Sequence, residues 1–84
     1  MSRNRAWRRH SITVAGRKTG ASLEPQFWAA LKEIATERGL SVAALVTGVN
    51  ADRGNANLSS AIRVFVLRYY QDQLSALRQQ SWNA

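Results

Sequence analysis

Along this chain the spacing of apolar side chains changes twice: every second residue, then every third or fourth, then almost every residue. From His10 to Leu23 the period is two. Ile12 and Val14 alternate with Ser11 and Thr13, and Thr19, Ala21 and Leu23 alternate with Lys18, Gly20 and Ser22. That period predicts half-buried strands near 10–15 and 18–23. Between them Ala15-Gly16-Arg17-Lys18 reads as a two-residue turn with glycine in the first central position, as a type II′ hairpin requires. The register that follows sets Val14 opposite Thr19 and Ile12 opposite Ala21 on an apolar face, with His10 next to Leu23. Thr13 then meets Gly20 and Ser11 meets Ser22 on a small, polar and basic face. One side of the hairpin is built for a core and the other is free.

Pro25 opens a helix at the position where its missing N–H matters least. Phe27, Trp28, Leu31, Ile34 and Ala35 recur at helical spacing, while Gln26, Lys32, Glu33, Glu37 and Arg38 lie largely off that face. A helix near 25–38 is predicted, closed by Gly39 with Leu40 placed for the accompanying apolar contact. Ser41 is an N-cap for a second helix near 41–50, whose buried stripe is Val42, Leu45, Val46 and Val49. The run from Ala51 to Asn57 is a loop by composition. A third helix starts near Leu58-Ser59, with Ser59 as its cap, and runs towards Arg78. From Ala61 to Tyr70 only Arg63 and Arg68 are polar. A helix apolar nearly all round must be covered on more than one side, and Ile62, Phe65, Val66 and Tyr69 exceed what one short chain covers.

Composition sharpens that point. With 84 residues and no cysteine, the chain is one domain at most and has no disulfide or thiolate-metal staple, yet 45% of its residues are apolar and three are tryptophan. A second copy is the remaining way to complete the core. The fold class expected is mostly α with a short N-terminal β-ribbon. Three segments follow: a basic flexible arm over 1–9, a ribbon and two helices over 10–50, and a loop with a C-terminal oligomerisation helix over 51–84.

The net charge of +7 is unevenly placed. Arg3, Arg5, Arg8, Arg9, Arg17 and Lys18 fall within the first 18 residues, with no acidic residue among them, whereas the remainder holds six basic and five acidic side chains. A cationic segment on a nearly neutral body suits a polyanion, nucleic acid or an anionic membrane surface. The alternative is a solvated arm that aids solubility. Trp7 amid the arginines either meets a base or sugar or packs on a neighbouring subunit.

Catalysis has little to draw on. His10 is the one histidine, so Ser-His and Cys-His arrangements have little to draw on and a His/Cys/carboxylate metal site cannot be assembled locally. Glu33 and Glu37 share a helix face, but with Lys32 and Arg38 alongside they read as a solvated face. Asp52, Asn55 and Asn57 lack the spacing and the bidentate glutamate of a calcium loop. No catalytic residue, metal, cofactor or small-molecule substrate is expected. Met1 to His10 is followed only by the short Ile12-Thr13-Val14-Ala15 stretch, which is no export signal, and no run is long enough to cross a bilayer. A soluble, cytoplasmic protein is expected.

A strand leading directly into two helices with Gly39-Leu40-Ser41 between them resembles the ribbon-helix-helix (Arc/MetJ/CopG-like) DNA-binding family. The likeness rests on Ala21-Ser22-Leu23, on Trp28, Leu31 and Ile34, and on Leu45 and Val46. The stretch from Asn57 to Tyr70 resembles a bacterial subgroup with an appended C-terminal helix. This resemblance implies a homodimer whose strands pair into an antiparallel ribbon lying in the major groove of double-stranded DNA. Lys18, Gly20 and Ser22 would then face the bases, and the amides at Ser41 and Val42 would hold a phosphate. Arg3, Arg5, Arg8, Arg9 and Arg17 would add phosphate contacts. Leu23, Trp28, Leu31, Ile34, Leu45, Val46, Ile62, Phe65, Val66 and Tyr69 would form the core and dimer contact.

The leading expectation is a dimeric DNA-binding regulator of the repressor type. Gly20 carries no side chain to read a base, however, and a second strand per chain would make the dimer sheet four-stranded and too wide to enter the groove. Those two features favour an alternative: an oligomerisation or protein-interaction module of the same fold. A membrane-surface binder would need a basic amphipathic helix, which the short aperiodic arm does not supply.

Overall fold

The period-two segment folds as a hairpin. A computed structural model of the chain describes residues 8–14 and 16–83. In it β1 (Arg8–Val14) pairs antiparallel with β2 (Arg17–Leu23) in a two-stranded sheet. Val14 lies opposite Arg17, so Arg17 belongs to the ladder and not to the expected Gly16-Arg17 turn, and Gly16 takes φ 80°. Ile12 is opposite Thr19, His10 opposite Ala21, Thr13 opposite Lys18 and Ser11 opposite Gly20. The expected register would have set Arg8 and Arg9 against Pro25 and Glu24, past the end of β2. The observed one pairs them with Leu23 and Ser22. Moving the loop by one residue moves every partner by two, so each side chain keeps its face. Ile12, Val14, Ala21 and Leu23 are buried, as the alternation requires.

Helix α1 (Pro25–Arg38) begins with proline at its first turn and ends at Gly39, whose φ of 69° is left-handed. Leu40 N–H donates to the Ala35 carbonyl at 2.9 Å and Gly39 N–H to that of Thr36 at 3.1 Å, so the last turn closes on itself. Helix α2 (Val42–Asp52) is capped by Ser41, whose Oγ accepts from Ala44 N–H at 3.0 Å. Helix α3 (Leu58–Asn83) is capped by Asn57, whose Oδ1 accepts from Ser60 N–H at 2.8 Å. Ser59, the cap expected from sequence, faces the ribbon instead: its Oγ accepts from Ser22 N–H at 2.9 Å.

The helices cover one face of the hairpin. Leu31, Ile34 and Ala35 of α1, Leu45, Val46 and Val49 of α2, and Leu58, Ile62 and Val66 of α3 are buried with the four ribbon residues. Trp28, Phe65 and Tyr69, expected in the same core, are half-buried at its margin. Trp28 lies flat on His10, with ring centroids 3.8 Å apart and 8° between planes, so it closes the edge of the core. Helix α3 outlasts this body. At 1.5 Å per residue its 26 residues span roughly 39 Å, and residues 71–80 are all exposed.

Tyrosine hydroxyls of α3 reach carboxylates of α1. The Tyr69 hydroxyl donates to the Glu37 carboxylate, and the Tyr70 hydroxyl donates to Glu33 at 3.3 Å. Glu33 and Glu37, which sequence alone assigns to a solvated face, are thus acceptors for α3. The tyrosines lie 37 and 32 residues further along the chain, beyond any local pattern.

Candidate nucleic-acid interface

Alternation along the two strands decides which side chains stand away from the core. They are Arg9, Ser11 and Thr13 of β1 and Lys18, Gly20 and Ser22 of β2. The face is small, polar and cationic, and neither strand contains a carboxylate. Lys18 is exposed, while Gly20 and Ser22 are half-exposed.

Gly20 is not an empty position. The Arg9 side chain crosses from β1 over it, and a Cβ at Gly20 would overlap the Arg9 guanidinium. The missing side chain therefore admits a long one from the neighbouring strand, and the middle of the face carries positive charge. Sequence reasoning places Arg9 with the phosphate contacts of a mobile arm. Its membership of β1, one position past the expected start of the strand, brings it onto this face. The signal lies in the period-two parity, since Arg9 has the phase of Ser11 and Thr13.

Ser22 plays a second part. In the antiparallel ladder alternate residues turn their backbone groups inward to the partner strand and outward to the edge. The closing pair Val14 and Arg17 is inward, so Lys18, Gly20 and Ser22 present N–H and C=O at the outer edge of β2. At Ser22 both are taken by α3: Ser59 Oγ accepts from the N–H at 2.9 Å, and Arg63 Nη2 donates to the carbonyl at 3.3 Å. Arg63 Nε also donates to Glu24 Oε1 at 3.0 Å, an ion pair beside the start of α1. A hydrogen bond from its own backbone N–H, with the Arg63 guanidinium beside it, holds the Glu24 carboxyl below its ordinary value of 4.5. None of Glu24, Ser59 or Arg63 stands out from sequence as a site residue, because the joint links positions 37 to 41 apart.

Ser41 caps α2 with its side chain, and Val42, the first residue of that helix, is half-buried. The free amides of this first turn carry the positive end of the helix dipole. Arg17 is exposed at the loop end of β2, in phase with the core-facing residues. Arg8 pairs with Leu23 in the ladder, while Arg3, Arg5 and Trp7 lie outside the described residues.

Away from the ribbon an open groove of about 480 Å³ runs between α1, α2 and α3, floored by Val49, Ala61 and Phe65. The Arg38 guanidinium covers its aromatic wall, 5.5 Å from the Phe65 ring centre and 5.3 Å from that of Tyr69. Among the described residues no three His, Asp or Glu side chains converge as a metal site, and no helix is long and apolar enough to cross a membrane.

Comparison with known proteins agrees with this architecture. The solved structure of an uncharacterized protein from Bordetella pertussis Tohama I superposes with a TM-score of 0.73 at 32% sequence identity. The match covers 89% of this chain and 66% of that one, so this chain spans just under two thirds of its length. Comparison with curated proteins finds no match. The family model for the ribbon-helix-helix domain matches residues 7–70, taking in the hairpin, both short helices and the packed half of α3, and the chain belongs to that family.

Proposed function

We propose that two copies of this chain pair through β2 and that the outer face of the resulting sheet binds duplex DNA, as a transcriptional regulator of the repressor type in the cytoplasm. The carrying observation is the face itself: Arg9 and Lys18 over small residues, with every carboxylate confined to the helices or, for Glu24, already paired with Arg63. Such a face meets a polyanion without desolvating an acidic group. Pairing through β2 gives four strands in the order β1, β2, β2 and β1, spanning roughly 14 Å at about 4.8 Å per spacing. The major groove is about 12 Å wide. The two central strands therefore lie over the groove floor, and the outer strands, with Ser11 and Thr13, lie over its phosphate walls. Lys18 and Ser22 face bases, and Arg9 acts where Gly20 has no side chain of its own. The Ser41 and Val42 amides and the basic residues Arg3, Arg5, Arg8 and Arg17 add phosphate contacts that position the protein without specifying sequence.

Titration of random and selected duplexes at two or more salt concentrations tests this. Steep salt dependence is expected, with each neutralised phosphate contributing a log–log slope of about −0.9. Absence of salt-sensitive binding rejects it in favour of a second reading, an assembly module. A specific observation favours that alternative: Val64, Leu67, Leu74 and Leu77 of α3 are all about half exposed or more.

A further inference from the structure

The joint between α3 and Ser22 bears on how two copies can meet, an inference that rests on the β2-paired dimer proposed above. At the outer edge of β2 the backbone groups left open among the described residues belong to Lys18 and Gly20, because Ser59 and Arg63 occupy those of Ser22. The start of α3 therefore stands where a partner strand would have to run beside Ser22. A second β2 has room from Arg17 to Ala21, five residues, and no further.

Three two-fold registers bring Lys18 or Gly20 of one copy against the other. Centred on Gly20, Gly20 faces its own copy, but Lys18 faces Ser22, whose N–H and C=O are already bonded and whose edge is covered. Centred on Lys18, two ammonium groups stand directly opposite, which is unfavourable, and Gly20 faces Gly16, a turn residue with φ 80° that is not extended. Centred on Thr19, Lys18 faces Gly20 and Gly20 faces Lys18. All four open N–H groups and carbonyls then pair with one another, and Arg17 faces Ala21 at the limit set by α3. We infer that the ribbon of the dimer is registered on Thr19, with α3 acting through Ser59 and Arg63 as the stop that selects it. The partner is a second copy because this edge is complementary to itself under that two-fold.

The register fixes the middle of the outer face. Each Lys18 stands opposite a glycine, beside the Arg9 guanidinium that lies over it, so two lysines and two arginines gather about the axis. That cluster is self-repelling in the free protein and is neutralised by a phosphate backbone.

The chain contains no cysteine, so single substitutions report the register directly. Thr19 faces its own copy in a pair without ladder hydrogen bonds, with Cα atoms about 4.5 Å apart, inside the range that a disulfide bridges. Gly20 and its copy are diagonal neighbours at about 7–8 Å, beyond that range. Under mild oxidation Thr19→Cys is expected to give at least about tenfold more covalent dimer than Gly20→Cys. Ser59→Ala with Arg63→Ala, added to Gly20→Cys, removes the stop and is expected to raise its cross-linking. Sedimentation of the reduced variants runs alongside. A dimer that cross-links through Gly20→Cys, through Ser11→Cys of β1, or through none of the three overturns the register and leaves self-association standing. A reduced Thr19→Cys chain that is folded and monomeric at about 100 µM overturns the β2-paired dimer itself.

Discussion

Among the described residues, the ribbon and the third helix each cover the core with one side and leave the other bare, and the two bare sides are chemically opposite. The outer ribbon face carries hydroxyls, a glycine and two cations, all groups that water solvates well. The bare side of α3 carries Val64, Leu67, Leu74 and Leu77, with Leu77 61% exposed, whereas Ile62 on the packed side is fully buried. A bare polar face is well solvated as it stands, whereas exposed apolar side chains in this number suit contact with another chain. One molecule thus offers two surfaces, a ribbon suited to a polyanion and an α3 flank suited to protein.

Substitutions on the two sides of α3 test that contrast with the largest effects. Ile62→Ala is expected to cost about 3–4 kcal/mol, a large share of the roughly 5–15 kcal/mol that holds a small domain folded. Paired Leu74→Ala and Leu77→Ala substitutions are expected to leave the fold intact, as surface changes usually do, and to lower the oligomer order seen by light scattering. If both sets lower only the melting temperature, α3 is a structural prop. Trp28→Ala comes next. Because the indole is half-buried and stacked on His10, we expect about 2 kcal/mol, less than for a tryptophan wholly inside a core. A cost near that of Ile62→Ala means that the second copy buries this edge.

How much of this is legible in the sequence follows from where each signal sits. Faces are legible because period-two alternation survives an error of one residue in the turn, as Ile12, Val14, Ala21 and Leu23 demonstrate. The turn itself is not, because a glycine in a two-residue loop satisfies either central position and Gly16 takes the second. Gly39 and Ser41 are legible from local chemistry alone. Asn57 and Ser59 are both competent caps, and what separates them is the Ser22 N–H, distant in sequence. Helical spacing assigns Trp28 to the core, but its neighbour His10 comes from the first strand, too far back along the chain for that spacing to reveal.

Smaller effects accompany pH. The hydrogen bond to Glu37 holds the Tyr69 phenol neutral above its ordinary value of 10.0, and burial, with Glu33 beside it, does the same for Tyr70. The folded chain retains protons that the unfolded chain releases, so stability falls as pH rises through 10. Glu24 runs the other way: its carboxyl is depressed below 4.5 in the folded state, and its contribution is lost as pH falls below that value. Denaturant melts of Tyr69→Phe and Tyr70→Phe are expected to lose the alkaline dependence and to keep the acid one. The reverse pattern places the α1–α3 link elsewhere.

The claim that the outer ribbon face is the DNA surface is tested most directly by the salt slope of DNA binding for the double variant Arg9→Ala, Lys18→Ala. Both side chains are exposed and belong to the self-repelling cluster, so the circular dichroism is expected to match that of the parent chain and the melting temperature to be no lower. Two such residues per chain make four in the dimer, so the log–log slope is expected to become shallower by up to about 3.6, at roughly 0.9 per phosphate contact. Discrimination between selected and random duplexes is expected to narrow in the same titration. A folded double variant that binds DNA with the parent slope and the parent discrimination contradicts the account.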